Sequence, residues 1–352
     1  MGFRFLSGRA FFPISRNFLK DSTMKTFFAW LQLVRFPNVF TILADILTVG
    51  FWTCVLRGFT PQLTLAFAGA GIGSVCLYWA GMVLNDVCDA EEDAVLRSSR
   101  PIPSGRIALE TARKAGWGLW GTGLALCVLA GFAAKTAEVT AGIAVLLALC
   151  VWAYDARLKN SPMGPFLMGF CRGLNLLLFL SFWPLAELTR WPLWGFPSPL
   201  LLYPLALTIF ITGVTFYARC ETEDAPEVGI RRPGPALMLL AAAFLAGGFA
   251  MLINFPAQLA AWRPGSVVPL FLAQTWRWPL LMLFLMVWLS LRAVSAYFQG
   301  PLRVRMVVKQ ALFSVFLLDA ALTLVVCGLP YAFVILGLFL IASFIGKWVY
   351  ST

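Results

Sequence analysis

Five carboxylates lie within eight residues at the end of a long apolar run. The segment NDVCDAEED covers residues 85–93, and residues 67–84 before it carry no charge. On a helix at about 100° per residue, the polar side chains divide between two faces. Glu91 points to one face, and the opposite face carries Asn85, Asp86, Asp89 and Asp93. Carboxylates on a shared face repel each other unless a cation lies among them. The alignment therefore favours a cation site over a solvated acidic helix end.

The chemistry of the neighbouring residues suggests which ion and which ligand. Mg²⁺ takes oxygen ligands and usually keeps waters and substrate phosphates in its shell. The segment RSSRPIPSG follows at residues 97–105. Its Arg97 and Arg100 carry planar guanidinium groups that suit phosphate oxygens. Arginines beside a carboxylate cation site predict a bound diphosphate.

The elements that must position these residues are membrane helices. The chain has 352 residues, of which 60% are hydrophobic and 12% charged, whereas soluble domains carry about 25% charged residues. Apolar runs long enough to cross a bilayer recur along the chain. We predict an all-α, polytopic membrane helix bundle of nine or ten spans. The predicted spans are 37–56, 62–84, 114–133, 137–154, 164–185, 198–218, 235–254, 278–298, 308–328 and 330–349.

Charge distribution predicts the orientation and excludes some functions. The net charge of +11 does not indicate nucleic acid, because the basic residues lie in the loops between spans. With a cytoplasmic N-terminus, twenty of the 27 basic residues are inside and five are outside. We predict an integral protein of a bacterial plasma membrane, with the acidic segment facing the cytoplasm. The chain has no histidine and eight scattered cysteines, which argues against a zinc site or a disulfide framework.

The acidic segment resembles a known family. Asn85, Asp86, Asp89 and Asp93 form an NDxxDxxxD pattern, and RPIPSG follows at 100–105. Together they resemble the UbiA superfamily of intramembrane prenyltransferases. The resemblance implies about nine helices around a central cavity and Mg²⁺ held by two aspartate-rich motifs. It also implies transfer of a prenyl group from a prenyl diphosphate to an aromatic or other lipophilic acceptor.

Further segments extend the resemblance. RFPNVFTILADILTVG (35–50) is similar to the family's first span, where Asn38 would line the cavity, and FCRGLN (170–175) is similar to its fifth. YDARLKNSP (154–162) resembles the second conserved loop, which implies Tyr154 and Lys159 near the diphosphate.

Polar residues within the predicted spans point to the interior of the bundle. Asn38, Thr41 and Asp45 share a helix face. Ionisable residues at membrane depth face the bundle interior, so Asp45, Arg172 and Asn175 are predicted to line the cavity. Arg292 and Asp319 are expected to pair with each other.

The second aspartate-rich motif departs from the family pattern. Its equivalent lies in FYARCETEDAPEVGIRRPGPAL, residues 216–237. With Gly229 as the motif glycine, Glu221 takes the place of the first aspartate and Ala225 that of the second. Glu223 and Asp224 are possible substitutes. The second metal subsite is therefore expected to be weakened, which resembles an EboC-like branch of the superfamily.

The sequence thus predicts two segments and one preferred function. Residues 1–36 form a cytoplasmic arm, whose first part is either an over-long start or a targeting peptide, and 37–352 form the UbiA-like domain. The alternative function is a non-catalytic UbiA-like protein that binds or moves a lipophilic metabolite. An unrelated transporter is disfavoured because no internal repeat is evident.

Overall fold

The computed structural model describes residues 22–184, 199–219, 277–346 and Val349. These residues form α-helices and one π-helical turn, and no strand occurs among them. The helices are α1 (Ser22–Leu33), α2 (Phe36–Leu56), α3 (Pro61–Cys88), α4 (Ala90–Leu96), α5 (Leu109–Ala134), α6 (Ala137–Ala153), α7 (Gly164–Leu180), α8 (Pro199–Ala218), α9 (Arg277–Gln299), α10 (Pro301–Cys327) and α11 (Leu329–Ile345). The π-helical turn Tyr154–Leu158 continues α6.

Proline and small residues set the helix starts. Thr60 caps α3, since its hydroxyl accepts from the Leu63 amide at 3.2 Å, and Pro61 follows at the first helical position, where no amide hydrogen is needed. Gly300 and Gly328 adopt φ of 99° and 93° before α10 and α11. Glycine tolerates this backbone region at no steric cost.

The described helices confirm the predicted all-α membrane architecture. Five of them are long and apolar enough to cross a bilayer, including α2, α3 and α5. Three shorter apolar helices lie at Gly164–Leu180, Tyr203–Ala218 and Leu329–Ile345. The predicted last two spans are separate helices that meet at Gly328 and pack on each other. The predicted span 235–254 lies outside the described residues.

The buried core joins most of these helices. One apolar cluster extends from Trp52 on α2 through Leu77 on α3 to Phe179 on α7 and Val315 on α10. A second cluster seats α1 on the bundle, because Ala29 and Leu33 are fully buried against α3 and the following loop. The helical part of the predicted N-terminal arm is thus packed against the bundle.

The expected pairing of Arg292 with Asp319 is wrong. Arg292 is exposed on α9, where its guanidinium lies 5.1 Å from the centre of the Trp288 ring and 3.5 Å from the Gln310 amide oxygen. Asp319 is fully buried and accepts a hydrogen bond from Tyr203. The reason is helical phase, since Asp319 faces the core and Arg292 faces outward.

Helices α7 and α8 approach closely at Gly169. A Cβ atom there would lie 2.2 Å from Thr212 Oγ1 and 2.3 Å from the Thr208 carbonyl oxygen. We expect Gly169→Ala to destabilise the protein by about 1–3 kcal/mol, the usual cost of overpacking. A fall in the thermal midpoint of the detergent-purified protein would show it. Gly142→Ala is the control, since nothing lies within 4 Å of that Cβ, and an equal loss in both variants would contradict the prediction.

Candidate active site

The end of α3 carries a cluster of buried ion pairs. Asp86 and Asp93 are 6% and 2% exposed, and Arg100 reaches both. Its Nη1 lies 2.5 Å from Asp93 Oδ2 and 3.4 Å from Asp86 Oδ1. Arg97 adds a weaker contact to Asp93 at 3.6 Å. The RPIPSG loop thus folds back onto the acidic helix end.

Arg35 reaches the same carboxylate from another element. Its Nη2 lies 3.3 Å from Asp86 Oδ1. Arg35 joins α1 to α2 in a left-handed conformation with φ 48° and ψ 52°, which is uncommon for a residue with a side chain. Sparsely populated conformations concentrate at functional sites. Arg35 was not predicted as a site residue, although it opens the segment RFPNVFTILADILTVG.

Lys159 joins the cluster from the loop after α6. Its ammonium group donates to Asp89 Oδ2. Asn85 Nδ2 bridges the neighbouring carboxylates, at 3.5 Å from Asp86 Oδ1 and 3.3 Å from Asp89 Oδ2. The predicted site residues Asn85, Asp86, Asp89, Asp93, Arg97, Arg100 and Lys159 therefore lie in one cluster, which we call the mouth cluster.

The predicted continuous helix over this segment is interrupted by one residue. Helix α3 ends at Cys88, Asp89 has ψ of 2°, and α4 begins at Ala90. Hydrogen bonds from the amides of Asp89 and Asp93 to the carbonyls four residues earlier survive, so the facial alignment persists. Glu91 and Glu92 are exposed, which confirms that Glu91 faces away from the cluster.

The oxygen donors of the mouth cluster fit one Mg²⁺ ion. Among the described residues, no group of three carboxylates or thiols is arranged to hold a metal. The amide nitrogen of Asn85 donates to both Asp86 and Asp89, which shows that these two carboxylates lie close together. Mg²⁺ is commonly bound by one or two carboxylates with waters and substrate phosphates completing its shell. Asp93 instead serves chiefly as the partner of Arg100.

The π-helical turn brings two more polar side chains to the mouth cluster. Asp155 Oδ2 is buried without a hydrogen-bond partner, and its electrostatic neighbours include Lys159, Arg35 and Asp89. Tyr154, predicted to lie near the diphosphate, is partly buried beside Asp155 and Arg35. π-Helical turns often occur at functional sites. Asp155 was not predicted as a site residue, although it lies between Tyr154 and Lys159, which were.

Arg219 anchors the loop that carries Lys159. It donates to the carbonyl oxygens of Lys159 at 3.0 Å and Ser161 at 2.5 Å. Burial lowers the pKa of the Arg219 guanidinium, an effect that the neighbouring Tyr154 opposes. The loop is thereby fixed so that Lys159 points at Asp89. The predicted second motif, with Glu221, Glu223 and Asp224, lies outside the described residues.

Deeper in the bundle, the predicted interior residues form a second polar group. Asp45 is fully buried, and its Oδ2 lies 2.5 Å from Arg172 Nε. Arg172 also donates to Thr41 Oγ1 at 3.1 Å, and Ser74 donates to Asn175. The predicted burial of Asp45 is confirmed.

Asn38 lies apart from the deep group, and two unpredicted residues belong to it. Asn38 lies on α2 between Arg35 and Asp45, with Tyr78 as a neighbour. Asp319 and Tyr203 join the Asp45 carboxylate. We call Asp45, Arg172, Tyr203 and Asp319 the deep cluster. Only Asp319 carried a sequence signal, as an acid inside a predicted span.

The apolar helices define a helical membrane protein, and the carboxylates and arginines at the end of α3 give it a candidate site for a cation and a phosphate group. Comparison with known families gives the family itself, because the model of the UbiA prenyltransferase family matches residues 46–301. The chain belongs to the UbiA prenyltransferase family. With its apolar helices, this makes it an integral membrane protein.

Curated relatives share part of the chain. It is 28% identical over 152 residues to the digeranylgeranylglyceryl phosphate synthase of Sulfolobus acidocaldarius, covering 42% of this chain and 50% of that protein. It is 33% identical over 150 residues to the same enzyme of Ignicoccus hospitalis, covering 42% and 45%. The chain thus spans about half the length of these curated relatives.

Solved structures share the fold. A digeranylgeranylglyceryl phosphate synthase structure superposes with a TM-score of 0.55 at 19% identity, covering 87% of this chain and all of that one. A UbiA homologue from Archaeoglobus fulgidus, bound to GPP and Mg²⁺, gives 0.55 at 14% identity and covers 88% and 99%. At this identity the similarity establishes the fold alone.

Proposed function

We propose that this chain transfers a prenyl group from a prenyl diphosphate to a lipophilic acceptor within the membrane. The observation that carries the proposal is the mouth cluster. It places Asn85, Asp86 and Asp89 beside Lys159, Arg35 and Arg100 at the end of a membrane helix. Membership in the UbiA family and the GPP and Mg²⁺ bound by the Archaeoglobus fulgidus homologue support it.

Each part of the mouth cluster has a role in this reaction. Asn85, Asp86 and Asp89 would hold Mg²⁺, which when bound neutralises charge on the diphosphate as it leaves. Lys159 and Arg35 exchange their carboxylate partners for the phosphate oxygens, and Arg100 stays paired with Asp93 while its positive charge acts on the same group. All three stabilise the departing charge. The Tyr154 hydroxyl donates a hydrogen bond to the diphosphate. Arg97 lies at the exposed rim and attracts the diphosphate from solvent.

The interior of the bundle protects the reactive end of the prenyl chain. The apolar core excludes water, which would otherwise capture an allylic cation. An electron-rich acceptor attacks the first carbon of the prenyl chain, and the bond to the diphosphate oxygen breaks with its electron pair. Without histidine in the chain, the proton released by the acceptor goes to a carboxylate or to the diphosphate. The excess of basic residues in the predicted cytoplasmic loops supports a mouth that opens to the cytoplasm.

Donor binding tests the proposal directly. We expect geranylgeranyl diphosphate to raise the thermal midpoint of the detergent-purified protein in the presence of Mg²⁺, because a ligand that binds only the folded state stabilises it. EDTA should remove most of the shift. Geranylgeraniol, which lacks the diphosphate, is the control. Equal shifts with both compounds, or no shift with either, would favour the non-catalytic alternative.

A further inference from the structure

The deep cluster is a concentration of buried polar atoms that lack hydrogen-bond partners. They include Oδ1 of Asp45 and Oδ2 of Asp319, and both residues are 0% exposed. Arg172 Nη2 and Asn175 Nδ2 are buried without partners as well. A buried polar group without a partner costs about 1–3 kcal/mol. Several such groups at one depth indicate a place where a polar ligand group binds.

The cluster is built by four separate helices. Asp45 comes from α2, Arg172 from α7, Tyr203 from α8 and Asp319 from α10. Tyr203 donates to Asp319 Oδ1, so the hydroxyl orients this carboxyl group. Residues from four helices converge on one point only through the tertiary fold, and ionisable residues at membrane depth are commonly functional.

The charges of the deep cluster largely cancel. Arg172 forms an ion pair with Asp45. Asp319 adds a second buried carboxyl group, and its partner is the Tyr203 hydroxyl rather than a cation. No positive charge is left over for an anion. A phosphate would face two carboxyl groups against one guanidinium. A neutral hydroxyl instead donates to Oδ1 of Asp45 or Oδ2 of Asp319, and it accepts from Arg172 Nη2 or Asn175 Nδ2.

The depth of the cluster matches the far end of an acceptor. Arg35 contacts Asp86 in the mouth cluster, and Asp45 lies ten residues further along α2, which is about 15 Å at the rise of an α-helix. That length accommodates a diphosphate, the first carbon of the prenyl chain and one acceptor ring in series. Tyr78 lies between the two clusters, since its charged neighbours are Arg35 on one side and Arg172 on the other.

We infer that the deep cluster is the acceptor subsite, and that it takes an uncharged, hydroxyl-bearing ring and rejects a phosphate. The inference rests on the proposed prenyl transfer. It also separates this chain from the curated relatives, whose names describe a glyceryl phosphate product.

A pair of matched probes tests the subsite. 1-Naphthol and 1-naphthyl phosphate differ only in the group that would enter the deep cluster, and binding to the detergent-purified full chain is measured by titration calorimetry. We expect 1-naphthol to bind at least tenfold more tightly. Asp45→Asn and Asp319→Asn should each weaken 1-naphthol about tenfold, as expected for loss of a hydrogen bond to a charged group. Tyr203→Phe removes one hydroxyl only and should weaken it less.

Donor binding separates failure of this inference from failure of the proposed function. Variants are compared only where geranylgeranyl diphosphate with Mg²⁺ still raises their thermal midpoint, which shows that they fold. Tyr203→Phe provides the test if both aspartate variants fail to fold. The inference is overturned if donor binding is intact but 1-naphthyl phosphate binds as tightly as 1-naphthol. It is also overturned if the folded variants bind 1-naphthol like the wild type. Loss of donor binding in the wild type overturns the proposed function instead.

Discussion

Asp86→Asn and Asp89→Asn are each expected to lower Mg²⁺-dependent prenyl transfer by about two to three orders of magnitude, the usual effect of removing a group that stabilises transition-state charge. Both changes keep the size of the side chain. Asp86 is 6% exposed and is contacted by Arg35 and Arg100. Its loss removes an ion ligand and the carboxylate partner of Arg35, whereas Arg100 keeps Asp93. Loss of Asp89 frees Lys159 and removes the carboxylate beside Asn85.

The measurement is release of diphosphate from geranylgeranyl diphosphate in membranes that contain the expressed protein, with and without Mg²⁺. Glu91→Gln provides the control, because Glu91 lies in the same acidic segment but is exposed on the far face. It removes the same charge from the same helix end and should leave the rate within about twofold, since the side chain is solvated and screened. Full activity in both aspartate variants would show that the mouth cluster is not the diphosphate site.

Arg100→Met is expected to have the largest effect on stability. Arg100 is 8% exposed and pairs with two buried carboxylates, and its Nη1 lies 2.5 Å from Asp93 Oδ2. Removing one member of a buried ion pair leaves an uncompensated charge, which costs about 3–5 kcal/mol. We expect a correspondingly lower thermal midpoint in detergent.

A second substitution distinguishes lost pairing from lost packing. The double variant Arg100→Met with Asp93→Asn should recover much of the loss, since removing both partners of a buried pair is often close to neutral. Arg113→Gln is the matched surface control. It breaks a pair with Glu110 in which the two side chains are 51% and 59% exposed, and exposed pairs contribute less than about 1 kcal/mol. An Arg100 variant as stable as this control would contradict the assignment of Arg100 as the anchor of the mouth cluster.

The mouth cluster was predictable because its members are close in sequence. Asn85, Asp86, Asp89 and Asp93 lie within nine residues, and helical periodicity alone aligns them. Arg100 is only seven residues after Asp93, and the short connection keeps the two side chains close to each other. Even the break at Asp89 changes little, because hydrogen bonds to residues four positions earlier continue across it. Lys159 was predicted only because YDARLKNSP resembles a conserved loop of the family. Its position in the sequence, 70 residues after Asp89, does not indicate a contact with that residue.

The deep cluster was only partly predictable. Asp45 and Arg172 drew attention as charges inside apolar spans, and the two form an ion pair within the bundle. Asp319 was expected to pair with Arg292, because both are charges within neighbouring spans. Sequence spacing gives each helix its own faces, but it does not give the rotation of one helix against the next. That rotation turns Asp319 to Tyr203 and Asp45 and leaves Arg292 beside Trp288.

The sequence by itself determined the membrane helices, the acidic face at the end of α3 and the arginine loop that follows it, since hydropathy and helical period act over short distances. Only the tertiary structure decided which cation meets which carboxylate. It brought Arg35 to Asp86, placed Asp155 beside Lys159, and joined four helices at Asp45. Those contacts depend on close packing between helices, such as the approach at Gly169, and packing partners far apart in the chain leave no periodic signal in it.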